Sequence, residues 1–140
     1  MTADTGNEAG QNTERVRAWH TRFNDTLAAR DIDLYLALFQ ENCALQVNNA
    51  FPIYSKRSLE VPYQQHLSSF RSMSYEFLSI VGDAQKSSAE VLYTFKRNDG
   101  SDAVVQCSYS VDLDEAGLIR SVRIYGNAAR VFKPFMRAND

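Results

Sequence analysis

Apolar positions along the chain fall into two regimes. Up to about residue 70 they recur at three- and four-residue steps, and beyond it they alternate with polar ones. Val16, Trp19, Phe23 and Leu27 form one stripe, which predicts a helix from about Thr13 to Ala29 with Asn12 or Thr13 as its cap. Leu34, Leu38 and Phe39 give the buried side of a second, shorter helix over 31–39, capped by Asp31. "CALQVNNAFPIYSK" then reads as a short strand, an Asn-Asn turn and a second short strand, which Pro52 confines to an edge. "SLEVPYQQHLSSF" carries a third helical stripe, Leu59, Tyr63, Leu67 and Phe70, with Pro62 near its first turn. Four long alternating runs follow at 73–81, 87–97, 103–113 and 118–126. They are joined by "GDAQKSS", "NDGS" and "DEAG", all rich in turn residues.

Four such strands in succession predict an antiparallel meander, and helices ahead of the sheet predict an α+β fold. The expected architecture is a cone. A curved antiparallel sheet, about four long strands plus a short hairpin, wraps around three N-terminal helices. Residues 1–11 are expected as a disordered tail, 12–133 as a single domain and 134–140 as a C-terminal tail. The last run, "LIRSVRIYGN", is mixed on both sides. Leu118, Arg120, Val122 and Ile124 share one face, while Ile119, Ser121, Arg123 and Tyr125 share the other. Ile119 and Tyr125, together with Leu78, Ile80, Leu92 and Val104, predict an apolar outer sheet face. A second subunit is its simplest cover, so a homodimer is expected.

Composition narrows the chemistry. A chain of 140 residues, 44% of them apolar, suits one globular domain. A net charge of −2 with scattered Lys and Arg argues against a nucleic-acid partner. Cys43 and Cys107 sit in apolar runs with no CxxC, as small hydrophobes do. The polar N-terminal stretch lacks the apolar core of a signal peptide, and no apolar run approaches the ~20 residues of a membrane span; a cytoplasmic protein is expected. Two histidines with no HExxH or Cys/His cluster give no metal signature, and no Gly-rich phosphate loop is present, so no cofactor is expected.

His66 stands beside the third apolar stripe and is the leading general acid/base. Tyr109 lies on the inward face of its strand, where its hydroxyl can polarise a carbonyl. Trp19, Phe23, Tyr54, Tyr63 and Phe70 are expected around a pocket for a small hydrophobic molecule. His20, one position past Trp19, reads as a helix-edge residue.

Three stretches, "NDTLAARDIDLYLALFQENCAL", "YTFKRNDGS" and "GLIRSVRIYGN", carry a family resemblance. Over residues 13–132 the chain resembles the SnoaL-like polyketide-cyclase and ketosteroid-isomerase branch of the nuclear-transport-factor-2-like superfamily. The resemblance implies a curved sheet and three helices enclosing a deep pocket, often in a dimer. It spans isomerases, cyclases, dehydratases, epoxide hydrolases and non-catalytic binding domains, among which fold alone does not choose. Where ketosteroid isomerases keep a general-base Asp, this chain has Val47-Asn48-Asn49. Phe23 matches their tyrosine oxyanion donor, and Tyr109 falls near their protonated Asp. The cyclases' final Tyr-x-Asp is Tyr125-Gly126-Asn127 here, and an amide orients a carbonyl but takes no proton at neutral pH.

The expected function is that of a cofactor-free isomerase, cyclase or dehydratase acting on a polyketide-, terpenoid- or steroid-like substrate. His66 moves the proton, while Tyr109 and Asn127 hold the oxygen. The alternative is a non-catalytic ligand-binding or dimeric association domain of the same fold. An epoxide hydrolase needs a carboxylate beside an arginine, and no spacing signals that pair.

Overall fold

The computed structural model describes residues 2–127. Its elements are α1 (Thr2–Ala28), α2 (Ile32–Leu36), β1 (Phe39–Val47), β2 (Ile53–Tyr54), α3 (Lys56–Ser68), β3 (Phe70–Gly82), β4 (Lys86–Arg97), β5 (Asp102–Leu113) and β6 (Ile119–Gly126). The six strands form one curved, unclosed sheet in the order β2-β1-β6-β5-β4-β3. The three helices cover its concave face, making the expected α+β cone.

The sheet is mixed rather than wholly antiparallel. β3 through β6 form the meander, but β1 pairs with β6 in parallel, Leu45 opposite Val122 and Val47 opposite Ile124. The cause is topological. β1, which follows α2, lies between β2 and the last strand and runs in the same direction as β6.

α1 is helical from Thr2, ahead of the expected start near Thr13 and across the stretch expected as a tail. The expected domain limit at 133 and the 134–140 tail lie outside the described residues. Asp31 caps α2, its carboxylate accepting from the amides of Asp33 and Leu34 at 3.0 and 3.1 Å. α2 is shorter than expected, and Phe39 opens β1 instead of closing the helix. With that change of phase Tyr35 is fully buried and Leu34 is exposed. Pro62 sits inside α3, past its first turn.

The mixed pattern of β6 resolves as a bulge. Leu113 pairs with Ile119 and Asp112 with Ser121, leaving Arg120 as one extra residue on β6. The slip turns Ile119 inward with Val122 and Ile124, and leaves both Arg120 and Arg123 in solvent. Ile119 is thus fully buried, not part of the outer face. Of the expected outer face Leu78, Val104 and Tyr125 are exposed, as is Val81, while Ile80 packs partly buried against the core. Among the described residues no helix is long and apolar enough to cross a membrane.

Candidate functional site

A cavity of about 280 Å³ lies between the helices and the concave sheet face. Phe23 and Leu27 of α1, Tyr35 of α2 and Pro62, Tyr63 and His66 of α3 form its helical wall. Leu45, Phe70, Tyr93, Phe95, Val105, Cys107, Tyr109 and Ile124 form much of the sheet wall. Strand alternation explains the second group, because every other residue of β4 and β5 faces inward. Of the expected pocket residues, Phe23, Tyr63, His66, Phe70 and Tyr109 are brought together here. Trp19, Tyr54 and Asn127 are not. Trp19 faces a separate cleft, Tyr54 is exposed on β2, and Asn127 is exposed just beyond β6.

His66 is held in an aromatic setting. Its ring meets Tyr63, Phe70 and Phe95 edge-on, with centroids 5.8, 5.6 and 6.3 Å away. Burial lowers its pKa, so the ring is neutral at pH 7. A half-buried neutral imidazole facing an apolar space can accept a proton.

The second polar feature surrounds Tyr109. Its hydroxyl is 2.7 Å from His20 Nδ1 and accepts from Asn24 Nδ2 at 3.0 Å. His20 is fully buried, contrary to its reading as a helix-edge residue. Its other nitrogen, Nε2, lies 2.7 Å from Ser87 Oγ. Asn24 Nδ2 also donates to the His20 carbonyl at 2.9 Å, and Asn24 Oδ1 accepts from the Tyr93 hydroxyl. Burial lowers the His20 pKa from 6.5 to about 4 and raises that of Tyr109, so both groups are neutral at pH 7.

Sequence reasoning missed His20, Asn24 and Tyr93 as a unit. The signal was present, because His20 and Asn24 continue the Val16 position in four-residue steps and so face the sheet. The inward alternation of β4 and β5 supplies Tyr93 and Tyr109 to meet them.

Asn48, within the Val47-Asn48-Asn49 stretch where the resemblance implies a general-base carboxylate, has a structural task. Its Nδ2 donates to the Gly126 carbonyl at 2.7 Å and its Oδ1 accepts from the Gly126 amide at 3.0 Å, extending the β1–β6 pairing by one side chain. Among the described residues the cavity lining contains no Asp, Glu or Arg, and no cluster of three His, Cys, Asp or Glu residues could hold a metal.

These elements build an α+β cone, a nuclear-transport-factor-2-like fold. Many solved structures share it. PrhC from Penicillium brasilianum matches at 14% identity and TM-score 0.71, over 84% of this chain and 83% of its own. SalBIII, described as an epoxide hydrolase/cyclase-like enzyme with a role in pyran ring formation in polyether salinomycin, matches at 10% identity and TM-score 0.71, over 86% and 96%. An LEH-like epoxide hydrolase of M. tuberculosis matches at 16% identity and TM-score 0.68, over 88% and 90%. At these identities the likeness is one of fold. No protein-family model matches the sequence, and no curated protein matches it either.

Proposed function

We propose that the protein is a cofactor-free enzyme of the isomerase, cyclase or dehydratase type. It works by general acid/base chemistry on a small apolar substrate bearing a carbonyl, of polyketide, terpenoid or steroid kind. The observation that carries this reading is the make-up of one cavity, a largely apolar wall that includes His66 and Tyr109. His66, neutral at pH 7, takes a proton from carbon. Tyr109, whose raised pKa leaves the phenol protonated at pH 7, donates a hydrogen bond to the oxygen on which charge develops. The cavity is just below the ~300–1,000 Å³ usual for small-molecule sites, which favours compact members of that substrate range.

Two fold neighbours carry enzyme titles, an epoxide hydrolase/cyclase-like enzyme and an LEH-like epoxide hydrolase, which supports a cofactor-free enzyme in general. Epoxide hydrolysis finds less support, because the described lining offers no carboxylate or arginine to activate water. That same lack is what favours the second reading, a non-catalytic ligand-binding domain. A homodimer through the outer sheet face suits either reading, since Leu78, Val81, Val104 and Tyr125 lie exposed there.

The test is deuterium wash-in from D2O into a panel of cyclic ketones and enones, followed by mass spectrometry. The wild type should exchange their α-protons, and His66→Ala should lose about 10²–10⁴-fold of the rate, the usual worth of a general base. Binding without exchange in the wild type supports the non-catalytic reading, and full exchange in His66→Ala removes His66 from the mechanism.

A further inference from the structure

The polar chain behind Tyr109 runs through the core rather than ending in it. Ser87, at its far end, lines a cleft of about 200 Å³ beside Trp19 and Asp83, distinct from the cavity that Tyr109 lines. The buried imidazole of His20 therefore joins two openings through two hydroxyls, each 2.7 Å away.

The donors and acceptors in this chain can be assigned almost completely. The His20 carbonyl only accepts, so it fixes the Asn24 amide with Nδ2 toward it and Oδ1 toward Tyr93. Both Nδ2 protons are then used, on the His20 carbonyl and on the Tyr109 oxygen. One freedom remains, which is the side of the neutral imidazole that carries its proton. With the proton on Nδ1, His20 donates to the Tyr109 oxygen, Ser87 donates to Nε2, and the Tyr109 proton is left for an acceptor in the cavity that Tyr109 lines. With the proton on Nε2, His20 donates to Ser87, and Tyr109 donates back to Nδ1.

Building on the proposed reaction, we infer that His20 is a relay residue, carrying protons from the solvent cleft at Ser87 to Tyr109 and so to a ligand oxygen in the cavity. The two tautomers are the states before and after one transfer. Tyr109 gives its O–H proton to the enolate-like oxygen and takes the Nδ1 proton. Nε2 takes the Ser87 proton, and Ser87 takes one from water in the cleft, the hydroxide left there being neutralised by bulk solvent. Each member loses one proton and gains one, so His20 is never an imidazolium. That matters because, among the described residues, the groups that contact its ring include the Tyr109 and Ser87 hydroxyls and the Trp19 and Phe77 rings, and none of these is a carboxylate that would stabilise a cation. The ligand this requires bears a carbonyl or enolate oxygen that accepts at Tyr109.

The test separates the relay from the reaction it serves. Ring-nitrogen NMR on ¹⁵N-histidine-labelled protein reads the His20 tautomer with no ligand present. Ser87→Ala should move His20 toward the Nδ1–H form and Tyr109→Phe toward the Nε2–H form, both rings remaining neutral at pH 7. One unchanged tautomer in all three proteins overturns the relay, whatever the protein catalyses. The second arm is α-proton exchange of cyclohex-2-enone in D2O by wild type and His20→Gln. The Gln amide spans the same two hydroxyls but has no tautomers, so exchange should fall by about 10²-fold while enone affinity holds. Equal rates in wild type and His20→Gln overturn the relay. A wild type that neither binds nor exchanges the enone contradicts the proposed reaction, and the tautomer measurement then decides the relay by itself.

Discussion

His20 on α1 and Tyr109 on β5 stand 89 residues apart in sequence, and their polar atoms lie 2.7 Å apart in the core. The pair fastens the long helix to the middle of the sheet. Removing one partner leaves the other buried without it, which costs more than the bond itself contributes. Tyr109→Phe should therefore lose ~1–3 kcal/mol in urea unfolding. Asn24→Ala, which strips bonds from His20, Tyr109 and Tyr93 at once, should lose at least as much. The double variant should lose less than the sum, because both act on one network. Strict additivity would mean that the two side chains are uncoupled.

Acid should destabilise the fold through His20. Its folded pKa is lowered from 6.5 to about 4, so between those values the unfolded chain binds the extra proton and the folded chain does not. Stability then rises with pH from about 4 to 6.5 and is lost as pH falls through that window. The limit is roughly 3 kcal/mol, at about 1.4 kcal/mol for each pKa unit. Urea unfolding at a series of pH values should show this slope in the wild type and a flatter one in His20→Gln. Equal slopes would assign the acid sensitivity elsewhere.

His66 makes a separate pH prediction. Burial lowers its pKa, and a base works only while deprotonated. The acid limb of kcat/KM for ketone exchange should have its midpoint below the ordinary histidine value of 6.5. A midpoint at or above that value would exclude His66 as the base.

Gly126 is fixed by a neighbour rather than by its backbone angle. A Cβ there would meet Cys107 Sγ at 2.4 Å and the Gln106 carbonyl at 3.2 Å. Gly126→Ala should cost ~1–3 kcal/mol by overpacking. Cys107→Ala in the same chain should recover part of that loss in thermal unfolding, since it removes the sulfur. No recovery would shift the clash to the backbone of β5.

The fold was legible because two kinds of periodicity divide the chain near residue 70, and the turn residues of "NDGS" and "DEAG" mark the hairpins. What escaped were one-residue shifts of phase. In "LIRSVRIYGN" the strict alternation puts Ile119 outside, and only the bulge at Arg120 brings it in. In "DIDLYLALF" the early end of α2 exchanges Leu34 for Tyr35 in the core. The site was half legible for a related reason. His66, Tyr63 and Phe70 follow one stripe into the cavity, but His20 looks polar and peripheral until Ser87 and Tyr109 satisfy both of its nitrogens. A buried polar residue is recognisable only together with its partners, and these come from strands far along the chain.

The proposed reaction needs an accessible acid/base site between His66 and Tyr109 inside the cone. The decisive experiment is a crystal structure of the protein soaked with cyclohex-2-enone. Density for the enone is expected inside the cavity, its oxygen at the Tyr109 hydroxyl and its ring toward His66. An empty cavity at saturating enone, or enone bound only on the outer sheet face, would contradict it.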